Sequence, residues 1–573
     1  MKIPAGESRT LTTDLNLTEV LEVEGVLVLD PASNVTITTN KNIVVTGDLI
    51  SQPDPTVTHT IRFIGIDESK YIGGGDAVLD SDVGLWVMGA GRLNLIGGLQ
   101  ALLSLAEADT KYNGIQDMAG KMNRNLLIEG TPTGQAHIFI KSSRPQSIRY
   151  AQIRYMGPRK DNNTDGVKDI VLGRYACHFH HSEDGSRGTL IEGCIVRDCN
   201  SHCFAPHGSH GITMRGNIVY NVLEAPFWWD FGHRTNDLIW ENNLVVNVGF
   251  LPRANDPDNG GPQGAVNGFV LGYGDSNICR GNVVIGTTGD YRGAGAYNWP
   301  EIRNDADTSL DLTSSWTFEN NVAINCPAAE DVWQNSEHHH IIRDCLYINC
   351  GVPFYHGAYA NDYARINCVY KGGTSEVWAA SNTTRRILFV NCTFDAQGAD
   401  YCVVINEGPG VGQAPIMFRN CKFINFKKKA ILNQNPGTGV KKVDVVDCSL
   451  SPDNYQISTK AISSEVIRVQ EGNQAWQITK SGTKVIAKFA PSSWGTGTGL
   501  KAEYWSANFQ ALLLTRVEPN VNLFDLTHPS PHYLVPATFA ARWTGKIQPQ
   551  YSETYKFICK AGGGVRLWVN NVK

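Results

Sequence analysis

The sequence predicts an all-β chain built mainly as a right-handed parallel β-helix, on three observations. A short phrase recurs ten times: IEGCIV, MRGNIV, WENNLV, CRGNVV, FENNVA, IRDCLY, RINCVY, FVNCTF, FRNCKF and VVDCSL. Its fourth letter is always Asn or Cys, at Cys194, Asn217, Asn243, Asn282, Asn321, Cys345, Cys368, Cys392, Cys421 and Cys448. Successive copies lie 23, 26, 39, 39, 24, 23, 24, 29 and 27 residues apart, a period near 24 with insertions, as stacked coils require. Composition agrees, since 57 glycines and 42% hydrophobic residues suit short strands cut by turns.

Residues 1–130 read as a glycine-rich β domain, because LEVEGVLVLDP, NVTITT, NIVVTGDLIS, HTIRFIGI and VGLWVMGAGRLNLIG alternate apolar and polar letters between turn residues. Only Leu99–Ala108 has a helical pattern. Residues 131–489 carry the repeat and read as the β-helix, each coil pairing with the next about 4.8 Å away. An inward turn residue then meets its own kind above and below. Asn amides can bond along such a stack, and Cys is small and content to be buried. The ladder cysteines form no compact C-x-x-C pairs, so stacked buried thiols are expected rather than a zinc site or disulfides. APSSWGTGTG at 490–499 reads as a linker, and 500–573 as a partial β-sandwich that stops mid-fold.

At 573 residues the chain exceeds one ordinary compact domain but suits an elongated repeat. A net charge of -5 argues against nucleic acid as a partner. No run of 18 apolar residues spans a membrane. The N-terminus, MKIPAGESRTLTTDL, has no apolar signal-peptide core, as expected either where a signal has been removed or where the chain folds in a cytosol, as a phage virion protein would.

Chemistry concentrates in residues 173–233, which hold seven of the 15 histidines: His178, His180, His181, His202, His207, His210 and His233. Metal binding and proton transfer near neutral pH both use imidazole in this way. His178 and His180 are two apart on a strand and share a face. Phe204 and Phe227 are 23 residues apart, one coil, which pairs His207 with Asp230 and His210 with His233. Motif matching sets His180 beside His207, whereas counting back from the ladder sets Cys203 there.

Particular phrases resemble known families. GVLVLDPASNVTI and DVGLWVMGAGRLNLIG resemble the domain named for its eight glycines, which occurs in fibrocystin and in the cell-migration-inducing hyaluronidase family. RYAQIRYMG, GRYACHFHH and HGSHG resemble the β-helix of the same family. There the pattern is a strand ending in Arg-Tyr, then His-Phe-His, then a His-rich turn one coil on and an acidic residue in the next. The matching positions are Arg174, Tyr175, His178, His180, His207, His210 and Asp230. GLKAEYW, FAARWTGKIQP, YSETYKF and GGGVRLWVNN resemble the β-sandwich first described in anthrax protective antigen. The aspartate pair usual in that domain is replaced by Gly562 and Gly563, which removes the expected calcium-dependent sugar site.

The cluster supports three chemistries. His178, His180, His207 and Asp230 suit a divalent transition metal such as zinc. His180, His207, Asp230 and Arg174 suit metal-free acid/base catalysis on a polysaccharide, with Asp230 or Glu183 as the carboxylate. A satisfied polar ladder with no chemistry is the third. Trp229, Trp333, Tyr355 and Trp378 precede ladder positions by 12 to 14 residues, as a sugar-stacking file or as core fillers, with His210 and His233 as further substrate contacts. Asp161 to Asp169 resembles the start of a calcium loop, although Leu172 stands where such a loop needs Glu.

The resemblance implies a protein, extracellular, on a cell surface or in a phage virion, that degrades or binds hyaluronan or another polysaccharide. The alternative is a non-catalytic adhesin or phage tail component in an oligomeric or virion assembly.

Overall fold

Three long parallel sheets wind around one core. The computed structural model describes residues 1–100, 123–229 (except 163, 165 and 167), 233–249, 266–288, 295–300, 314–333, 340–356, 362–378, 386–407, 416–434, 442–450, 452–457, 466–471, 474–479, 484–486, 499–506, 512–518, 539–546, 564–570 and the single positions 509, 521, 557 and 572. The first sheet has sixteen strands, from Lys2–Ile3 to Tyr455–Ile457. The second runs from Ser8–Leu11 to Lys442–Val446. The third has fourteen strands, from Leu15–Leu17 to Lys422–Ile424. Each coil gives one strand to each sheet: Cys177–Glu183, Leu190–Glu192 and Ile195–Arg197 make up one coil. These three sheets form a parallel β-helix.

Register turns sequence into stacked files. Along the first sheet Leu21, Ile43, Leu85 and Ile138 are in register, followed further on by Cys177, Phe204, Phe227, Phe269, Tyr297, Glu330 and Phe354. Tyr370, Phe394 and Phe423 stack at 5.1 and 5.0 Å in the core. Each such side chain contributes about 1.5–3 kcal/mol by leaving water.

The repeated phrase is the turn between the second and third sheets. Its third letter is Gly, Asn or Asp because that residue is left-handed in every copy, with φ between 50° at Asn420 and 64° at Gly281. The fourth letter points inward. Asn243 Oδ1 accepts from the backbone N–H and the amide of Asn217 at 3.0 Å each. Asn243 in turn donates its backbone N–H and its amide to Asn282 Oδ1, and Asn282 donates in the same way to Asn321. Cysteines continue the file, with the Cys421 N–H donating to Cys448 Sγ at 3.3 Å. The thirteen cysteines among the described residues are buried and form no disulfide with one another, as the ladder predicts.

Two expectations are corrected. The boundary at residue 130 falls inside continuous sheets: Leu85–Gly89 pairs with Ile138–Ser142, and Leu126–Glu129 with Gln152–Arg154. The N-terminal coils carry no Asn/Cys phrase, so the repeat is invisible there although the winding is the same. The helix expected over Leu99–Ala108 is not formed at its start, where Leu99–Gln100 is a strand antiparallel to Asn123–Arg124. Its remainder lies outside the described residues, as do residues 490–498 of the linker.

A second compact unit comprises residues 468–477 and 484–573. Its sheet sets Leu500–Ser506 between Leu512–Glu518 and Phe539–Thr544, all antiparallel. Among the described residues no helix is long and apolar enough to cross a membrane.

Asn243→Ala should strip the Asn217 N–H of its buried acceptor and the Met214 carbonyl of its donor. The expected cost is about 1–3 kcal/mol per unsatisfied group, read as a lowered thermal midpoint. Asn243→Cys, the ladder's own alternative, should cost less. A melt of Asn243→Ala identical to wild type would show that the ladder carries no stability.

Candidate functional site

The cluster is built on the strand Cys177–Glu183 and its neighbour Phe204–Ser209. His180 is in register with His207, as motif matching gives, and Cys177 is in register with Phe204. The strand does not stay regular. A bulge falls between His180 and Glu183, where His181 and Glu183 both have φ 47°. Non-glycine residues in that region cost on the order of 1–3 kcal/mol each.

Two histidines are oriented from behind. His178 Nδ1 lies 2.8 Å from the Gly173 carbonyl oxygen, so it donates, and the imidazole lone pair sits on Nε2. His180 Nε2 lies 2.8 Å from Asp76 Oδ1, so it donates to that carboxylate, and the lone pair sits on Nδ1. That Nδ1 is buried with no hydrogen-bond partner among the described residues. Burial, reinforced by His178, His207 and His181, pushes the His180 pKa down to about 3, so it is neutral at physiological pH. A hydrogen bond from Lys141 holds Asp76 below the usual carboxylate range.

Asp76 arrives from a coil just over a hundred residues earlier and has no signature in the sequence around the histidines. Arg174 explains how it is held. Arg174 Nε donates to Asp82 Oδ2 at 2.8 Å, and Nη2 donates to the Gly74 carbonyl at 2.8 Å. Asp82 also accepts the N–H groups of Ile72 and Gly73 at 2.7 and 3.0 Å. The guanidinium lies over Trp86 at 4.7 Å and Phe139 at 5.3 Å. Arg174 and Asp82 are both 0% exposed. The catalytic role expected for Arg174 is therefore corrected: sealed beneath the site, it fixes the loop that carries Asp76 and cannot touch a substrate.

The remaining expected residues separate. His178, His180 and His207 bring one nitrogen each within 4.8 Å of one another, and so do His181, His207 and His233. His233, expected as a substrate contact, thus joins the nitrogen cluster. His210 stands at its edge, with Nε2 3.4 Å from Glu183 Oε2 and Nδ1 accepting the Asn236 N–H at 3.3 Å. Asp230 and the Trp378 side chain lie outside the described residues. Trp229 is 0% exposed and donates Nε1 to the His233 carbonyl at 3.0 Å, so it supports the site and is no sugar platform. A Cβ on Gly272 would lie 1.7 Å from its ring, so only glycine fits there.

Tyr355 is buried, whereas Trp333 is half-buried with its ring 5.2 Å from Tyr355 and Nε1 donating to Asp331 at 2.8 Å. These residues lie in line with the cluster: Trp228, Val270, Asn298, Asp331, Tyr355 and Glu376 are in register along the first sheet. In the proposed calcium loop, Asp161 accepts the Gly166 N–H at 2.9 Å, and Asp169 is buried in a hairpin with Arg159–Lys160.

Residues 136–259 match the family model described as the CEMIP beta-helix, and residues 497–573 match the PA14 domain. The chain is CEMIP-like in its β-helix and PA14-like at its C-terminal end. The CEMIP match contains every histidine of both groups and stops short of Asp76 and Asp82. Over 157 residues the chain is 24% identical to the cell surface hyaluronidase CEMIP2 of Homo sapiens, covering 23% of this chain and 10% of that one. Over 80 residues it is 41% identical to the anti-sigma-I factor RsgI3 of Acetivibrio thermocellus, covering 14% and 12%. Among solved structures, the receptor-binding protein of bacteriophage Det7 aligns over 85% of this chain and 83% of its own, at 11% identity and a TM-score of 0.27. The tailspike gp49 of the Acinetobacter baumannii bacteriophage Fri1, a capsular polysaccharide depolymerase, aligns over 65% and 57%, at 12% identity and a TM-score of 0.21.

Arg174→Ala should leave Asp82 charged and buried without its partner, at a cost of about 3–5 kcal/mol. A lowered melt together with new protease cleavage within residues 72–82 is expected. Unchanged resistance of that loop would contradict the role assigned to Arg174.

Proposed function

We propose that the chain binds and depolymerises a polysaccharide at the histidine cluster, aided by a divalent transition metal held by His178, His180 and His207. One observation carries this. Two of the three histidines already donate their outer N–H groups, to the Gly173 carbonyl and to Asp76, which aims the opposite nitrogens into the cluster. Metal-ligating histidines are oriented by such partners, whereas a polar ladder needs none. The relative named as a cell surface hyaluronidase makes hyaluronan the first substrate to try.

The residues divide the work. Asp76 fixes His180 and its tautomer. Glu183, 63% exposed and beside His181 and His210, is placed to exchange a proton with water or with the leaving sugar oxygen. Trp333, half-buried and held by its bond to the buried Asp331, lies further along the same sheet, where a polymer crossing the coils would meet its ring. A bound ion would supply Lewis acidity toward a sugar oxygen or lower the pKa of a water. Such a protein would act outside cells, at a cell surface or on a virion.

Purified protein should carry stoichiometric zinc or a similar ion by elemental analysis, and should shorten hyaluronan or a capsular polysaccharide in size-exclusion assays. His180→Ala should lose the ion held with His178 and His207, and the activity with it, while the circular dichroism melt stays unchanged. Asp76→Asn should weaken metal affinity by about 10–100-fold. Full depolymerase activity in metal-free protein would move the chemistry to an acid/base site at His180 and Asp76.

A further inference from the structure

The cluster holds more imidazole than one ion can use. A strand that continued straight would turn His181 to the face opposite His180. The bulge prevents this: pairing with the neighbouring strand breaks after His180 opposite His207 and resumes at Glu183 opposite Ser209, leaving the left-handed His181 out of register. Its effect is local: the His181 ring lies 4.4 Å from His180, 4.5 Å from His207 and 4.3 Å from His233. Gly208 leaves the room, since a Cβ there would come 2.8 Å from His181 Nδ1. Glu183 Oε1 stands 3.5 Å from that same nitrogen, the carboxylate behind His181 that Asp76 is behind His180.

We infer that the site is dinuclear: His181, His207 and His233 hold a second divalent transition-metal ion, with His207 shared between the two. This rests on the metal reading of the first triad and adds a second position beside it. An imidazole serves two ions only as the imidazolate, Nδ1 to one and Nε2 to the other. Filling the second position therefore releases the remaining N–H proton of His207 to solvent, and no electron is transferred. An imidazolate keeps its two ions farther apart than the pairs that clamp one displacement, so the second ion would hold a carboxylate of a polyanionic substrate beside the first.

The test is a titration of the full chain, stripped with chelator, with cobalt(II) followed by visible absorption and with zinc followed by elemental analysis. Wild type should bind two equivalents. His181→Ala and His233→Ala should each bind one. His180→Ala should also retain one, and His180→Ala/His181→Ala none, with circular dichroism melts confirming that each variant is folded. His233 lies outside the strands, so its variant guards against a folding defect from the strained His181 position. One equivalent in wild type, lost in His180→Ala and kept in His181→Ala and His233→Ala, would overturn the second site and leave the first standing. Two equivalents surviving in both His181→Ala and His233→Ala would also overturn it. No metal in wild type would remove both.

Discussion

Everything in the β-helix depends on parallel backbone pairing between successive coils. That pairing repeats the chain at one small rise, so a residue always lies over its counterpart one coil away. A side chain's neighbours are then set by register rather than by sequence proximity. Inward files become ladders of like residues, the amides of Asn217 to Asn321 and the thiols of Cys345 to Cys448. Outward files become lines of chemistry, and the histidines occupy one of these. A ladder of identical contacts also lets the chain absorb insertions between strands, which is why spacings of 39 residues interrupt a period near 24 without breaking the stack.

Buried charge is used twice within this frame. Arg174 and Asp82 are sealed together beneath the histidines, and Arg365 and Glu330 are sealed in the core many coils away, with Nε 2.8 Å from Oε2. Arg365 lies between the rings of Phe354 and Phe389 at 4.8 and 5.3 Å. Pairs of this kind contribute little net stability over an apolar replacement, because desolvation offsets the attraction. Their value lies in fixing geometry. The first pair fixes a loop whose Asp76 orients a histidine. The second places Glu330 between Tyr297 and Phe354 in its file, where a slip of one residue would bury the wrong face.

The sequence made the fold legible where coils announce themselves. The Asn/Cys phrase gave the β-helix, its inward ladder and its reduced thiols, because turn chemistry forces Gly, Asn or Asp before each inward residue. Residues 1–130 wind the same way but turn without that phrase, so they read as a separate domain. Within the site, His178, His180 and His207 were legible from the two-residue strand period and the matched motif. His181 was not, because a bulge overrides the period. His233 was recognised only as a substrate contact, since register alone does not show which way a residue beyond a strand end will turn. Arg174 and Trp229 are buried rather than facing outward, because a motif records which residues recur together and not whether they lie above or beneath a surface.

Asp76 shows why the coils before residue 130 belong to the function. The histidines share one short stretch, and a segment such as 136–259 contains them all. Yet the carboxylate that sets the tautomer of His180 comes from an earlier coil, on a loop tied down by Asp82 and by Arg174. Because coils stack, a loop leaving one coil can reach over the next and deliver a side chain onto a strand far along the chain. Lys141, on a strand of the intervening coil, completes the bridge by binding the other oxygen of Asp76. The cluster is therefore assembled across the stack, from strands that supply histidines and a neighbouring loop that orients one of them. The N-terminal coils are its second layer as well as its scaffold.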